Sequence, residues 1–161
     1  MGELVRKIGL VLLLIATSAS QAGELETVSA LLARESAPAG VVFEMVGGDG
    51  RSLHIALRRT EAYVNQLRAR FPDANYVIVT HGIEQFSLLE ENEDMHPELH
   101  QRVKRIINDE NIPVHVCGAF AEMSAVDTKD FIKSVQVAES GPALIQDYVE
   151  KGYGLVEMEL H

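Results

Sequence analysis

Tyr76-Val77-Ile78-Val79-Thr80-His81-Gly82 decides the fold class. Residues 76–80 form an apolar run of strand length, rich in β-branched side chains, and they deliver a histidine and a glycine at their end. Just upstream, Leu53, Ala56, Leu57, Thr60, Tyr63, Val64 and Leu67 recur every three or four residues. That spacing predicts an amphipathic helix, with Asp49 or Ser52 as its cap and Phe71-Pro72 as its stop. A helix that hands over to a buried strand is half of a βαβ unit, and the same alternation extends both ways along the chain.

Toward the N-terminus, Val41–Val46 reads as a strand closed by Gly47-Gly48-Asp49-Gly50. Before it, Glu24–Arg34 carries Leu25, Val28, Leu31 and Leu32 at helical spacing and is ended by Pro38 and Gly40. Toward the C-terminus, Ile83–Leu89 is a short helix followed by an acidic run, and Pro97 opens a helix bearing Leu99, Val103, Ile106 and Ile107. Pro113-Val114-His115-Val116 is a third strand ending in Cys117-Gly118. Ala119–Met123 forms a short helix, and Asp127 caps another through Ile132. Ser134–Ala138 is a fourth strand. Ser140-Gly141-Pro142 starts the last helix, Gly152 ends it, and Tyr153–Leu160 is a fifth strand. Strands separated by helices imply right-handed crossovers and a sheet covered on both faces. The expectation is a three-layer α/β/α domain with a mostly parallel five-stranded sheet.

Composition narrows the function classes. The chain has 161 residues, 47% of them hydrophobic and 24% charged, as in an ordinary globular domain. Its formal net charge is −10, and no basic stripe is present to neutralise a phosphate backbone, so nucleic acid is not an expected partner. The single cysteine, Cys117, excludes an intramolecular disulfide and a cysteine-rich zinc finger.

Residues 1–22 have the three regions of a secretory signal peptide. Arg6 and Lys7 supply positive charge, Ile8–Ala16 forms a short apolar stretch, and Ser20-Gln21-Ala22 offers small residues for cleavage before Gly23. The apolar stretch is shorter than the roughly 20 residues of a spanning helix, although an uncleaved anchor is the alternative. Residues 23–40 then form a leader helix and linker, and residues 41–161 the α/β domain. This reading places the mature protein in the periplasm, with no stable membrane insertion after cleavage.

In an open α/β sheet, reacting groups gather beyond the carboxyl ends of the strands. Four such ends carry glycine beside polar residues, which makes Gly48, Asp49, Gly82, Gly118, Ser140 and Gly141 candidate substrate-binding positions. Cys117 ends a strand directly before a short helix, where backbone amides stabilise a thiolate. A small buried side chain is the alternative reading. His115 lies two residues before it on the same strand face, and His81 ends another strand; both are candidate acid–base groups. The Gly47–Gly50 turn lacks the third glycine of a dinucleotide fingerprint and the Gly-Lys of a P-loop, and no cofactor is expected. His96 and His100, four apart, have a metal-ligand spacing, but Pro97 and the acidic run favour a solvated face, and no metal is assigned.

Several segments in order resemble the DsrE/DsrF-like (YchN-like) family from about Val41 to Leu160. They are Ala56-Leu57 with Asn65-Gln66-Leu67, Thr80-His81-Gly82, Val114-His115-Val116-Cys117-Gly118, and Ser140-Gly141-Pro142-Ala143 with Lys151-Gly152-Tyr153-Gly154. The resemblance implies a parallel-sheet fold that assembles into dimers, trimers or hexamers. For members bearing the cysteine it implies persulfide carriage, with Cys117 passing sulfane sulfur between a donor and an acceptor protein. A non-catalytic oligomeric binding module with a structural Cys117 is the second reading, and a histidine metal site the third.

Overall fold

The computed structural model describes residues 18–160. Residues 1–17, the greater part of the expected signal segment, lie outside the described residues. Helix α1 (Ser18–Leu32) precedes strand β1 (Gly40–Val46), and helix α2 (Gly50–Arg70) leads to β2 (Asn75–Thr80). Two 3-10 turns, Ile83–Leu88 and Glu90–Asn92, come before α3 (Pro97–Asn108) and β3 (Val114–Cys117). Then follow α4 (Gly118–Met123), a 3-10 turn at Thr128–Asp130, β4 (Gln136–Ala138), α5 (Gly141–Glu150) and β5 (Tyr153–Glu159).

The five strands lie in the order β4-β3-β2-β1-β5, and all pairs are parallel. Three successive steps, β1 to β2 to β3 to β4, run in one direction across the sheet. Right-handed crossovers therefore put their helices on one face, and only the return from β4 to β5 lays a helix on the other. On the first face Val41, Phe43, Met45 and Ile78 pack with Leu53, Leu57, Val103 and Ile106 in one buried cluster. On the second, Val42, Val77 and Val79 pack against Ile145 and Leu144 of α5.

Local signals explain the element bounds. The Asp49 carboxylate accepts from the Ser52 amide at 2.8 Å and caps α2, while Gly47 and Gly48 take the left-handed conformations that turn the chain out of β1. Hydrogen bonds to Ser52 hold the Asp49 carboxyl below its ordinary pKa. The Asp127 segment makes one 3-10 turn rather than a longer helix, because Phe131 leaves it to pair with Leu89. Strand β4 begins at Gln136, later than Ser134, because the Val135 amide is still engaged with the Ile132 carbonyl in a turn.

Helix α1 is fastened by a buried carboxylate. Glu24 receives two hydrogen bonds from Arg59, one from the Tyr63 hydroxyl and one from the Glu159 amide. The segment is therefore docked to the end of β5 through a satisfied buried charge, which is the condition for tolerating one.

Candidate functional site

Strand register assembles one row of side chains on the face beneath α5. Thr80 is paired with Val116, so the next residues, His81 and Cys117, follow side by side at the carboxyl ends of β2 and β3. Glu44 reaches the row from β1. Its Oε1 accepts from His81 Nε2 at 2.7 Å, and the two side chains are only 18% and 14% exposed.

Cys117 is 4% exposed. Its Sγ accepts from the Phe120 amide at 3.4 Å and from the Gly141 amide at 3.3 Å, so the first turns of α4 and α5 both direct N–H groups at one sulfur. Groups at helix starts favour an anion in that position. Gly141 permits this approach because it has no side chain. A Cβ there would lie 2.6 Å from His81 Cβ and 3.3 Å from Cys117 Cβ. Cys117, His81 and Gly141 are thus mutual neighbours.

Two buried residues that the sequence reading passed over hold this corner together. Gln85 uses its side-chain amide as a substitute strand: Oε1 accepts from the Cys117 amide at 2.7 Å and Nε2 donates to the Cys117 carbonyl at 3.2 Å. Glu84 accepts from the Thr80 hydroxyl, from the Gly82 amide at 2.9 Å and from the Gly47 amide at 2.7 Å. The carboxylate therefore ties the turn after β1 to the turn after β2. Glu44, the third residue passed over, did leave a signal: it is the one charged residue within Val41–Val46.

The remaining candidates divide. His115 is 8% exposed, and burial pushes its imidazole below the ordinary histidine pKa. It faces a cleft of about 560 Å³ between β4 and α5, shared with Gln136, Ser140 and Asp147. Ser140 caps α5 by accepting from the Ala143 amide at 3.4 Å. Gly118 opens α4 beneath the end of β4, 3.0 Å from the Ala138 carbonyl oxygen at its Cβ position. Gly82 adjoins the Glu84 carboxylate and Gly47. Gly48 and Asp49 belong instead to the α2 cap: a Cβ on Gly48 would meet Ser52 and Leu160.

His96 and His100 do not face a common centre. His100 Nε2 donates to the Ser87 carbonyl at 2.8 Å, whereas the His96 ring lies against Gly50. Among the described residues, no group of three His, Cys, Asp or Glu side chains could hold a metal ion. None of the described helices is long and apolar enough to cross a membrane.

Comparison with protein-family models and with curated proteins gives no match. Solved structures do match. The ychN protein from E. coli aligns with a TM-score of 0.55 over 74% of this chain and 98% of its own, at 16% identity. This chain has the YchN fold. MTH1491 from Methanobacterium thermoautotrophicum, a protein of unknown function, aligns with a TM-score of 0.59 over 73% of this chain and 96% of its own, at 18% identity. At these identities the likeness is one of architecture. It supports the YchN-like (DsrE-like) parallel-sheet fold that the motifs implied, and it assigns no activity.

Proposed function

We propose that this protein is an exported, periplasmic sulfur carrier of the DsrE type, which takes sulfane sulfur onto Cys117 as a persulfide and passes it to a partner thiol. One observation carries the reading: two backbone amides from two helix starts converge on Cys117 Sγ beside the His81–Glu44 pair. A packing cysteine needs no such donors, whereas a sulfur that holds negative charge does.

The transfer is an exchange between sulfur atoms. The Cys117 thiolate attacks the outer sulfur of a donor persulfide, R–S–SH, and a new S–S bond forms as the donor's bond breaks. The bonding pair leaves on the donor sulfur, which takes up the proton lost from Cys117. Cys117–SH and R–S–SH thus become Cys117–S–SH and R–SH, with no external oxidant or reductant. His81 serves as the acid–base group, and a self-associated assembly that meets donor and acceptor proteins is the working form.

A second reading rests on the burial of Cys117, which suits a small packing side chain in a binding module. The two separate on incubation of the protein with a small sulfane-sulfur donor, followed by intact mass measurement. The carrier gains the mass of one sulfur atom, and Cys117→Ser gains none. No gain in the wild type would favour the packing reading.

A further inference from the structure

We infer that Glu44 is a positioning residue for sulfur transfer, holding His81 in the tautomer that carries its proton on Nε2 and leaving Nδ1 as the nitrogen that exchanges a proton with Cys117. The inference rests on the sulfur-carrier reading and adds the proton route at that site.

The assignment follows from donor and acceptor roles. An ionised carboxylate can only accept, so a 2.7 Å contact between Glu44 Oε1 and His81 Nε2 places the hydrogen on Nε2. In the neutral ring Nδ1 is then the unprotonated nitrogen. It is bonded directly to Cγ, and Cγ lies 3.3 Å from the Cβ position of Gly141, whose amide touches Cys117 Sγ at 3.3 Å. His81 and Cys117 thus share Gly141 as a neighbour, and with Nε2 engaged by Glu44 the ring nitrogen left to exchange a proton is Nδ1. A carboxylate that fixes a histidine in this way also stabilises the imidazolium formed when the ring takes a proton, as in other nucleophile–histidine–carboxylate arrangements.

The balance is closed within the site. Nδ1 takes the Cys117 thiol proton, the thiolate attacks the outer sulfur of the donor persulfide, and Nδ1–H returns the proton to the departing donor sulfur. The charged and titratable groups around His81 are Glu44 from β1, Cys117 from β3, and the Glu84 carboxylate bonded to the neighbouring Gly82 amide. Glu157 of β5 is the register partner of Glu44, and Glu159 that of Val46. From α5 it is the side-chain-free Gly141 that meets His81.

The test reads tautomer and rate separately. Nitrogen-15 NMR of the wild-type protein, at a pH where His81 is neutral, is expected to show the proton on Nε2. In Glu44→Gln the amide can donate to Nε2, and the Nδ1–H form is expected to rise. The rate of sulfur uptake from a small persulfide donor should fall about tenfold or more in Glu44→Gln, and about 100-fold in His81→Asn. Thermal melting of each variant reports folding, and an Nδ1–H tautomer in the wild type refutes the assignment even if Glu44→Gln unfolds. An Nδ1–H tautomer in the wild type, or an unchanged rate in a folded Glu44→Gln, overturns the inference. Nε2–H together with no sulfur uptake at Cys117 would overturn the carrier reading while leaving the hold of Glu44 on His81 supported.

Discussion

Beneath α1, α2 and α3, the sheet presents Val41, Phe43, Met45 and Ile78 to a continuous apolar layer; its other face, beneath α5, carries Glu44, His81, His115 and Cys117 among a few valines. The difference comes from topology. Three crossovers in one direction place several helices on the first face, and one returning crossover leaves a single ten-residue helix for the second. A face covered by one short helix cannot be dry along its whole length. Its end row therefore tolerates ionisable groups, provided each is hydrogen-bonded. Stability and chemistry are thus separated across a single sheet, by strand alternation together with the direction of the crossovers.

Variants on the two faces should differ accordingly. The largest effect is expected from Phe43→Ala on the packed face, at about 3–5 kcal/mol of unfolding free energy by denaturant titration. Ile145→Ala on the other face should stay near the lower end of the large-to-small range, about 2 kcal/mol, because its cluster is smaller and partly open. Equal losses would break the contrast. Glu84→Ala removes the acceptor for two amides and a hydroxyl and should cost about 3 kcal/mol, measured the same way.

Gly141→Ala forces a methyl against His81 and Cys117 and should cost about 1–3 kcal/mol. Unlike the first two variants, it should also change the alkylation rate of Cys117 in the folded state, because α5 must shift away from the sulfur. A stability loss without a change in that rate would show that the helix start does not govern the thiol.

The smallest effect is a pH dependence. Burial lowers the pKa of His115, and burial with Arg102 nearby lowers that of His54. The unfolded rings take up protons near pH 6.5, while the folded ones do so only at lower pH. The unfolded state then binds more protons, so stability falls as pH drops below about 6.5 and is retained above it. Melting temperature from pH 7.5 to 5 should show this decline, and His115→Gln should make it shallower.

The strands and helices were legible because their apolar spacing is set by the same core that buries them. Leu53 through Leu67 shows the helical period, and Tyr76–Thr80 shows the strand that follows. Asp49 was legible as a cap because its chemistry is local, its partner being three residues away. Cys117, His81 and Gly141 could each be picked out at an element end, but their meeting depends on register between β2 and β3 and on where α5 returns, neither of which spacing encodes. Gln85 and Glu84 were harder still. A polar residue in a short turn normally reads as solvated, and only the long-range contacts with Cys117 and Gly47 reveal that both are buried structural groups. Glu24 belongs with them, its partners lying 35 and more positions along the chain.

Reactivity of Cys117 in the folded protein is what most sharply separates a sulfur carrier from a packing cysteine. Alkylation by a small neutral reagent, followed by intact mass under native conditions and again in denaturant, tests this most directly. A sulfur carrier labels at Cys117 without unfolding, at a rate that changes in His81→Asn and Glu44→Gln. Labelling that appears only in denaturant, at a rate indifferent to both variants, would make Cys117 a packing residue and contradict the sulfur-carrier reading.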